Sequence, residues 1–268
     1  MDFPLGYRTA KCAGLTIAVL CAFFAGKTAL AQNAHGPKPV LHVAAAADLT
    51  PVMPVLAAEY EKQTGVHIEA SFGSSATLTT QLQNGAPFDV FLSADMAHPQ
   101  QLADAKLTEA GPVPYAHGVL VVWARKDSPA QPVSLQSLQK ASVTRIAMAN
   151  PAHAPYGLAA KQYLQHEHLF AVVGTKLVTA ENIAQTAQFV ESGNAQVGLI
   201  SLTTASTEHF RELGSYVLVP VESYAPLVQA GVVLKASHEV PVAQAFLKWL
   251  TSAGVQAQMK GFGLEAAK

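Results

Sequence analysis

The sequence predicts an α/β protein built as two lobes with a ligand cleft between them. Three observations carry this. Strand-like apolar runs alternate with helix-period segments from about residue 41 onward, and the alternation comes in two separate sets. Prolines 112, 114, 220 and 226 cluster where the chain would pass from one set to the other and return. Strand–helix alternation of this kind is the signature of a mostly parallel sheet covered by helices on both faces.

The first 31 residues stand apart from that pattern. Arg8 and Lys11 precede an apolar run from Cys12 to Ala25, and Ala29-Leu30-Ala31 offers a small-residue cleavage site before Gln32. This is the layout of a secretory signal, and the run is too short to span a bilayer comfortably. Leu20 before Cys21 is too large for a lipoprotein cleavage box, so no lipid anchor is expected. Both cysteines fall in this segment, so a mature chain would lack disulfides, thiolate metal sites and cysteine nucleophiles. Of 17 basic and 18 acidic residues, the segment takes Arg8, Lys11, Lys27 and Asp2, which leaves 14 and 17, a net charge of −3. Nothing in that balance points to nucleic acid or a membrane surface. A soluble, exported monomer is expected.

The elements follow in order. LHVAAA (41–46) reads as a buried strand, and Val52, Val55, Leu56 and Tyr60 then recur at helical spacing behind Thr50-Pro51, a good N-cap and first-turn pair. VHIEASF (66–72) alternates as a strand, a short helix holds Leu78 and Leu82, and DVFLS (89–93) is a third strand with a helix after it. GVLVVWA (118–124) is a continuous apolar run, hence a central strand. The second set comprises IAMA (146–149), a helix near 157–165, KLV (176–178), a helix near 183–191 and VGLI (197–200). YVLVPV (216–221) and QAGVVL (229–234) are late strands, and the closing helices hold Val242, Ala243, Phe246, Leu247 and Leu250. The lobes are expected at 38–116 with 224–268, and at 117–223.

Four loops would converge on the cleft, at strand ends and helix starts. They are AAAADLT (44–50), FGSSATL (72–78), NPAHAPYGLAAK (150–161) and TAENIAQ (179–185). Each offers free backbone N–H groups, hydroxyls stand beside two of them, and none carries a lysine or arginine at the turn. Fixed neutral donors suit a small dehydrated oxoanion. Singly, each loop is also an ordinary helix cap.

Taken together, these segments resemble the periplasmic molybdate-binding proteins, solute receptors of ABC importers. AAAADLTPVM, FGSSATL, APFDVFLSAD (86–95), NPAHAPYG, ENIAQTAQFVESG (181–193) and GFG (261–263) match that family's signatures in order, from about Leu41 to Gly263. The resemblance implies a two-lobe, type II-like periplasmic binding protein that closes on molybdate or tungstate and delivers it to an inner-membrane permease. It implies no cofactor, no enzymatic activity and no direct metal ligand. By position, the oxoanion contacts fall on Asp48, Ser75, Tyr156, Ile183 (backbone) and Ser201. Where one branch has a serine after the alanines, this chain has Asp48, and Tyr156 with Ser201 exchange a phenol between two loops.

Asp48 is the anomaly. Molybdate at neutral pH is fully deprotonated and only accepts hydrogen bonds, and two unit charges ~4 Å apart cost about 4 kcal/mol at an effective dielectric near 20. The carboxylate is therefore expected to turn away and cap its own helix. A ligand-facing acceptor would instead favour an oxoanion that keeps a proton, such as hydrogen phosphate. Receptors for phosphate or sulfate remain the alternative reading. An exported hydrolase is a weaker one, since no G-x-S-x-G or H-E-x-x-H is present.

Overall fold

A computed structural model describes residues 39–267. The proposed signal segment lies outside them. The first lobe opens with β1 (Val40–Ala46), α1 (Met53–Thr64), β2 (His67–Gly73), α2 (Ser75–Gln83), β3 (Val90–Ser93) and α3 (Ala97–Asp104), then β4 (Val113–Gly118). The second contains β5 (Leu120–Arg125), β6 (Ile146–Ala149), α4 (Pro155–His166), α5 (Phe170–Val173), β7 (Leu177–Ala180), α6 (Ile183–Glu191), β8 (Val197–Ser201), α7 (Leu202–Ala205), α8 (Glu208–Leu213) and β9 (Gly214–Leu218). The chain then returns through β10 (Leu227–Val233), α9 (Val240–Leu250), α10 (Ala253–Met259) and β11 (Glu265–Ala266). No helix among the described residues is long and apolar enough to cross a membrane.

Two sheets result, ordered β11-β4-β10-β3-β1-β2 and β7-β6-β8-β5-β9. Each is mixed, where the sequence suggested mostly parallel. The β1–β2, β1–β3, β6–β7 and β6–β8 pairs are parallel, whereas β10 and β5 pair antiparallel with both neighbours. The antiparallel members are the crossing strands and their partners. β4 runs into β5 through the single residue Val119, and β9 returns to β10 through 219–226. A strand that arrives from the other sheet needs no helical crossover, so it is free to enter in the opposite direction. The apolar run at 118–124 is therefore the end of one strand and most of another.

Both sheets are covered on two faces. Along β5, Leu120, Val122 and Ala124 pack into one core cluster, while Val121 and Trp123 pack into another with Ala187, Val190 and Phe210. That is why the run reads as unbroken rather than alternating. In the first sheet, Val43, Ala45, Val90 and Leu92 face α1 and α9, and Ala44, Phe91 and Val232 face Leu78, Leu82 and Leu102.

The first helix departs from expectation. α1 begins at Met53, with Val52 as the preceding residue and Pro54 in its first turn. Thr50 does not cap it: its hydroxyl donates to the Ala47 carbonyl at 2.7 Å. A 3₁₀ turn over Ala47–Leu49 uses those residues first, and Val55 is left half exposed.

Candidate functional site

Three helix starts and the turn after β1 meet at one small cavity, lined by residues 46–48, 73–75, 94, 154–156 and 182–183. The cavity is small, with space for about one water molecule as the lobes stand. A hollow of about 300 Å³ beside Val113, Leu247 and Lys248 is larger but gathers no helix start. No lysine or arginine lines the small cavity. Among the described residues no group of three or more metal-ligating side chains occurs.

Ser75 is the first residue of α2 and is buried. Capping falls to its neighbour: Ser74 Oγ accepts from the Thr77 N–H at 3.3 Å. Ser75 Oγ accepts from the Ala94 N–H at 3.2 Å, so its own hydrogen remains available to a solute. Ile183 opens α6, whose cap is Asn182, accepting from the Gln185 N–H at 3.0 Å. The side chain of Ile183 is core, and what it offers the cavity is its backbone. Neither the Ser75 nor the Ile183 N–H has a protein partner among the described residues, as expected for the first turn of a helix.

Tyr156 is the second residue of α4, behind Pro155 and an Ala154 that supplies no side-chain cap. Two glycines allow its position. A Cβ on Gly157 would lie 2.4 Å from the Ala149 carbonyl oxygen, so only glycine lets α4 start this close to the end of β6. A Cβ on Gly118 would lie 2.4 Å from Tyr156 Oη. The phenol thus fills the space beside the interlobe crossing, and its hydroxyl donates to Asp48 Oδ2 at 3.2 Å. That hydrogen is committed to Asp48, so the phenol is not the free donor that the sequence suggested.

Asp48 corrects the sequence reading. Its side chain caps no helix. It is buried, and Oδ2 accepts from Tyr156 and, at 2.5 Å, from Gln229 Nε2. Oδ1 is buried with no partner. Capping lost because the turn at Ala47–Leu49 precedes α1 by several residues, and a phenol and an amide stand ready on the other side. Burial pushes the Asp48 carboxyl up to about 7, against the opposing pull of Gln229, Tyr156 and its own N–H. Burial and the Asp48 charge also hold the Tyr156 hydroxyl well above its ordinary value.

Ser201 also departs from expectation. It ends β8 and caps α7, accepting weakly from the Thr204 N–H at 3.4 Å. It is not among the residues lining the cavity. Its hydroxyl instead lies 2.8 Å from that of Thr203, which donates to the Asp48 carbonyl at 2.7 Å. Gln229 escaped the sequence reading altogether. The only signal was one amide inside the apolar strand LVQAGVV, a position where a polar side chain requires a buried partner.

The lobes are closed on one another at the rim. The Ala76 N–H donates to the His153 carbonyl at 3.1 Å, and Thr77 Oγ1 donates to Glu181 at 3.1 Å. His153 Nδ1 lies 3.1 Å from both Glu181 carboxylate oxygens.

Comparison with known proteins gives the family and the fold. The bacterial extracellular solute-binding protein family matches residues 41–265. The molybdate-binding protein ModA of Azotobacter vinelandii is 37% identical over 224 residues, covering 83% of this chain and 88% of the relative. That of Rhodobacter capsulatus is 34% identical over 208 residues, covering 77% and 81%. Among solved structures, the Azotobacter vinelandii periplasmic molybdate-binding protein superposes with a TM-score of 0.79 at 31% identity, covering 85% of this chain and all of that one. A sulfate-binding protein from Mycobacterium tuberculosis shares the fold at 16% identity, with a TM-score of 0.69 over 86% of this chain and 88% of that one. The chain belongs to the bacterial extracellular solute-binding proteins, within the family of the molybdate-binding proteins.

Proposed function

We propose that this protein binds molybdate, and tungstate with it, outside the cytoplasm and hands it to an ABC permease. The observation that carries this is the convergence of the starts of α2, α4 and α6 on one compact cavity that no cation lines. Unpaired N–H groups at helix starts, reinforced by the helix dipoles, hold an anion without a counter-charge. The named relatives bind molybdate, and the cavity is compact.

In this reading the oxoanion accepts from the Ser75 hydroxyl and from the backbone N–H groups of Ser75, Tyr156 and Ile183. Ser201 acts at one remove, by holding Thr203 against the Asp48 backbone. The lobes open about the crossings at Val119 and 219–226, within a few residues of the boundaries suggested by the sequence. The partner is a membrane permease that recognises the closed form of a monomer. The role is binding without turnover, a reading supported by relatives named as binding proteins. Residues 1–31 serve as the export signal.

Calorimetry of residues 32–268 tests the reading. Molybdate and tungstate should bind with Kd below about 1 μM. Sulfate and phosphate should bind at least roughly a hundredfold more weakly, because shorter bonds to sulfur or phosphorus leave the fixed donors out of reach. Tighter binding of phosphate than of molybdate would replace the reading with the alternative.

A further inference from the structure

Asp48 presents a problem that the binding reading alone does not solve. A carboxyl group lines the cavity proposed to hold an anion, and no lysine or arginine lines that cavity. Its surroundings are specific about which oxygen is used. Gln229 Nε2 and Tyr156 Oη both donate to Oδ2, which leaves Oδ1 buried without a partner on a residue that lines the cavity. A carboxylate in that position would turn a bare, negatively charged oxygen towards the oxoanion. A neutral carboxylic acid with its proton on Oδ1 would turn a donor towards it, and Oδ2 would keep both of its hydrogen bonds.

We propose that Asp48 is protonated in the ligand-bound state, that its Oδ1–H donates to the bound oxoanion, and that binding therefore takes up one proton from solution. The proposal rests on the oxoanion-receptor reading and adds a proton to it. The step balances simply: a deprotonated dianion, one proton and the Asp48 carboxylate combine into a complex whose net charge is the sum of the three. The residue becomes a selectivity element. An oxoanion that brings its own proton would meet a second one on Asp48 and lose the match, whereas a fully deprotonated dianion accepts from every donor in the cavity.

The other groups facing Asp48 cannot take this proton in the neutral range. Tyr156 from α4 and Tyr115 from β4 are phenols held well above their ordinary value by burial and by the Asp48 charge. Gln229 from β10 and Thr203 from α7 do not titrate. α6 brings only its first turn. Beyond Tyr115 lies Asp95, paired with His98 at 2.8 Å. The exposed His153–Glu181 pair closes the rim. Burial already places the Asp48 carboxyl near neutrality, and an arriving dianion raises it further.

The test is molybdate titration of the mature protein by calorimetry at pH 8, in buffers of different ionisation enthalpy. Molybdate itself carries no proton there, so uptake is assigned to protein. The expected slope is close to one proton per molybdate for wild type and zero for Asp48→Asn. Wild-type affinity should fall roughly fiftyfold between pH 7 and pH 9, and that of Asp48→Asn should stay flat. Tight wild-type binding with no proton uptake would overturn the proposal and leave the receptor reading standing. So would a pH dependence that survives in Asp48→Asn, which would move the proton to His153–Glu181 or Asp95–His98. Absence of molybdate binding by wild type at every pH would sink the receptor reading and this proposal with it. Should Asp48→Asn lose its fold by circular dichroism, the wild-type buffer series still decides.

Discussion

Ser75 and Asp48 show how much one side chain decides here. Among the cavity-lining hydroxyls Ser75 alone keeps an uncommitted hydrogen, since Ser74 donates to Thr77 Oγ1 and Tyr156 donates to Asp48. Ser75→Ala should weaken molybdate binding by about 1–3 kcal/mol, by leaving a buried anion short of a donor. Ser74→Ala should instead lower stability by about 0.5–2 kcal/mol. Calorimetry and thermal melts of the two variants separate the roles, and equal affinities for Ser75→Ala and wild type would refute the placement. Asp48 has a stability consequence of its own. Its folded pKa, about 7, lies above the value of 3.8 for an exposed aspartate. The favourable state is the neutral one, so its contribution is complete below about pH 4 and is lost as pH rises towards 7. Ligand-free wild type should therefore lose up to about 4 kcal/mol relative to Asp48→Asn between pH 4 and pH 8. Urea unfolding of both proteins across that range measures it, and a constant difference would show that the carboxyl is hydrated in the free protein. The positions of Ser75 and Ile183 at helix starts beside the cavity were legible in the sequence, because Gly-Ser-Ser and Asn-Ile are local patterns. It misled on Asp48, because the partners that turn it inward come from 108 and 181 positions away.

The elements were legible where one periodicity dominates. Helix α6 falls on its expected limits, since Asn182 caps it and its apolar positions recur regularly. The break at Val119 was not legible, because Gly118 to Ala124 is uniformly apolar and nothing local marks a change of sheet. Only the pairing reveals it, since β4 joins β10 and β11 whereas β5 joins β8 and β9. The same break explains Gly118. There the strand must pass beside the Tyr156 hydroxyl and the Gln229 amide, with a Cβ falling 2.4 Å from one and 3.1 Å from the other. Gly118→Ala should cost about 1–3 kcal/mol of stability through overpacking against the Tyr156 hydroxyl and should weaken oxoanion binding by displacing the start of α4. Tyr156→Phe offers the control. It keeps the ring's packing, removes the donor to Oδ2 and should raise the Asp48 pKa further, detectable as a shift of the binding pH profile to higher pH. A Gly118→Ala protein as stable as wild type would mean that α4 gives way at little cost.

At the scale of the whole molecule, the lobes meet through the apolar packing of Ala46, Ala47 and Ala94 against the second lobe's core and through a few polar contacts at the rim, and the rim contacts define what closure means. Ala76 donates its N–H to the His153 carbonyl across the rim, one residue beyond the Ser75 that faces the cavity. Thr77 reaches Glu181, two residues before Ile183. The same two helix starts that offer donors to an anion thus also carry the latch, so an anion held between α2 and α6 stabilises the contacts outside it. An open protein would leave the Ala76 N–H to water, because its position as the second residue of α2 gives it no carbonyl partner within its own turn. Hydrogen exchange of a peptide spanning residues 74–83 should accordingly slow by roughly ten- to a hundredfold when molybdate is added, the factor that 1–3 kcal/mol of coupling produces. Glu181→Gln removes the charge on one side of the latch while keeping an acceptor for Thr77. It should keep most of that protection, and Thr77→Ala should lose more. Unchanged exchange at Ala76 on saturation with molybdate would mean that the lobes are already closed before the ligand arrives, and the small cavity would then have to fill by local opening of the rim rather than by movement of the lobes.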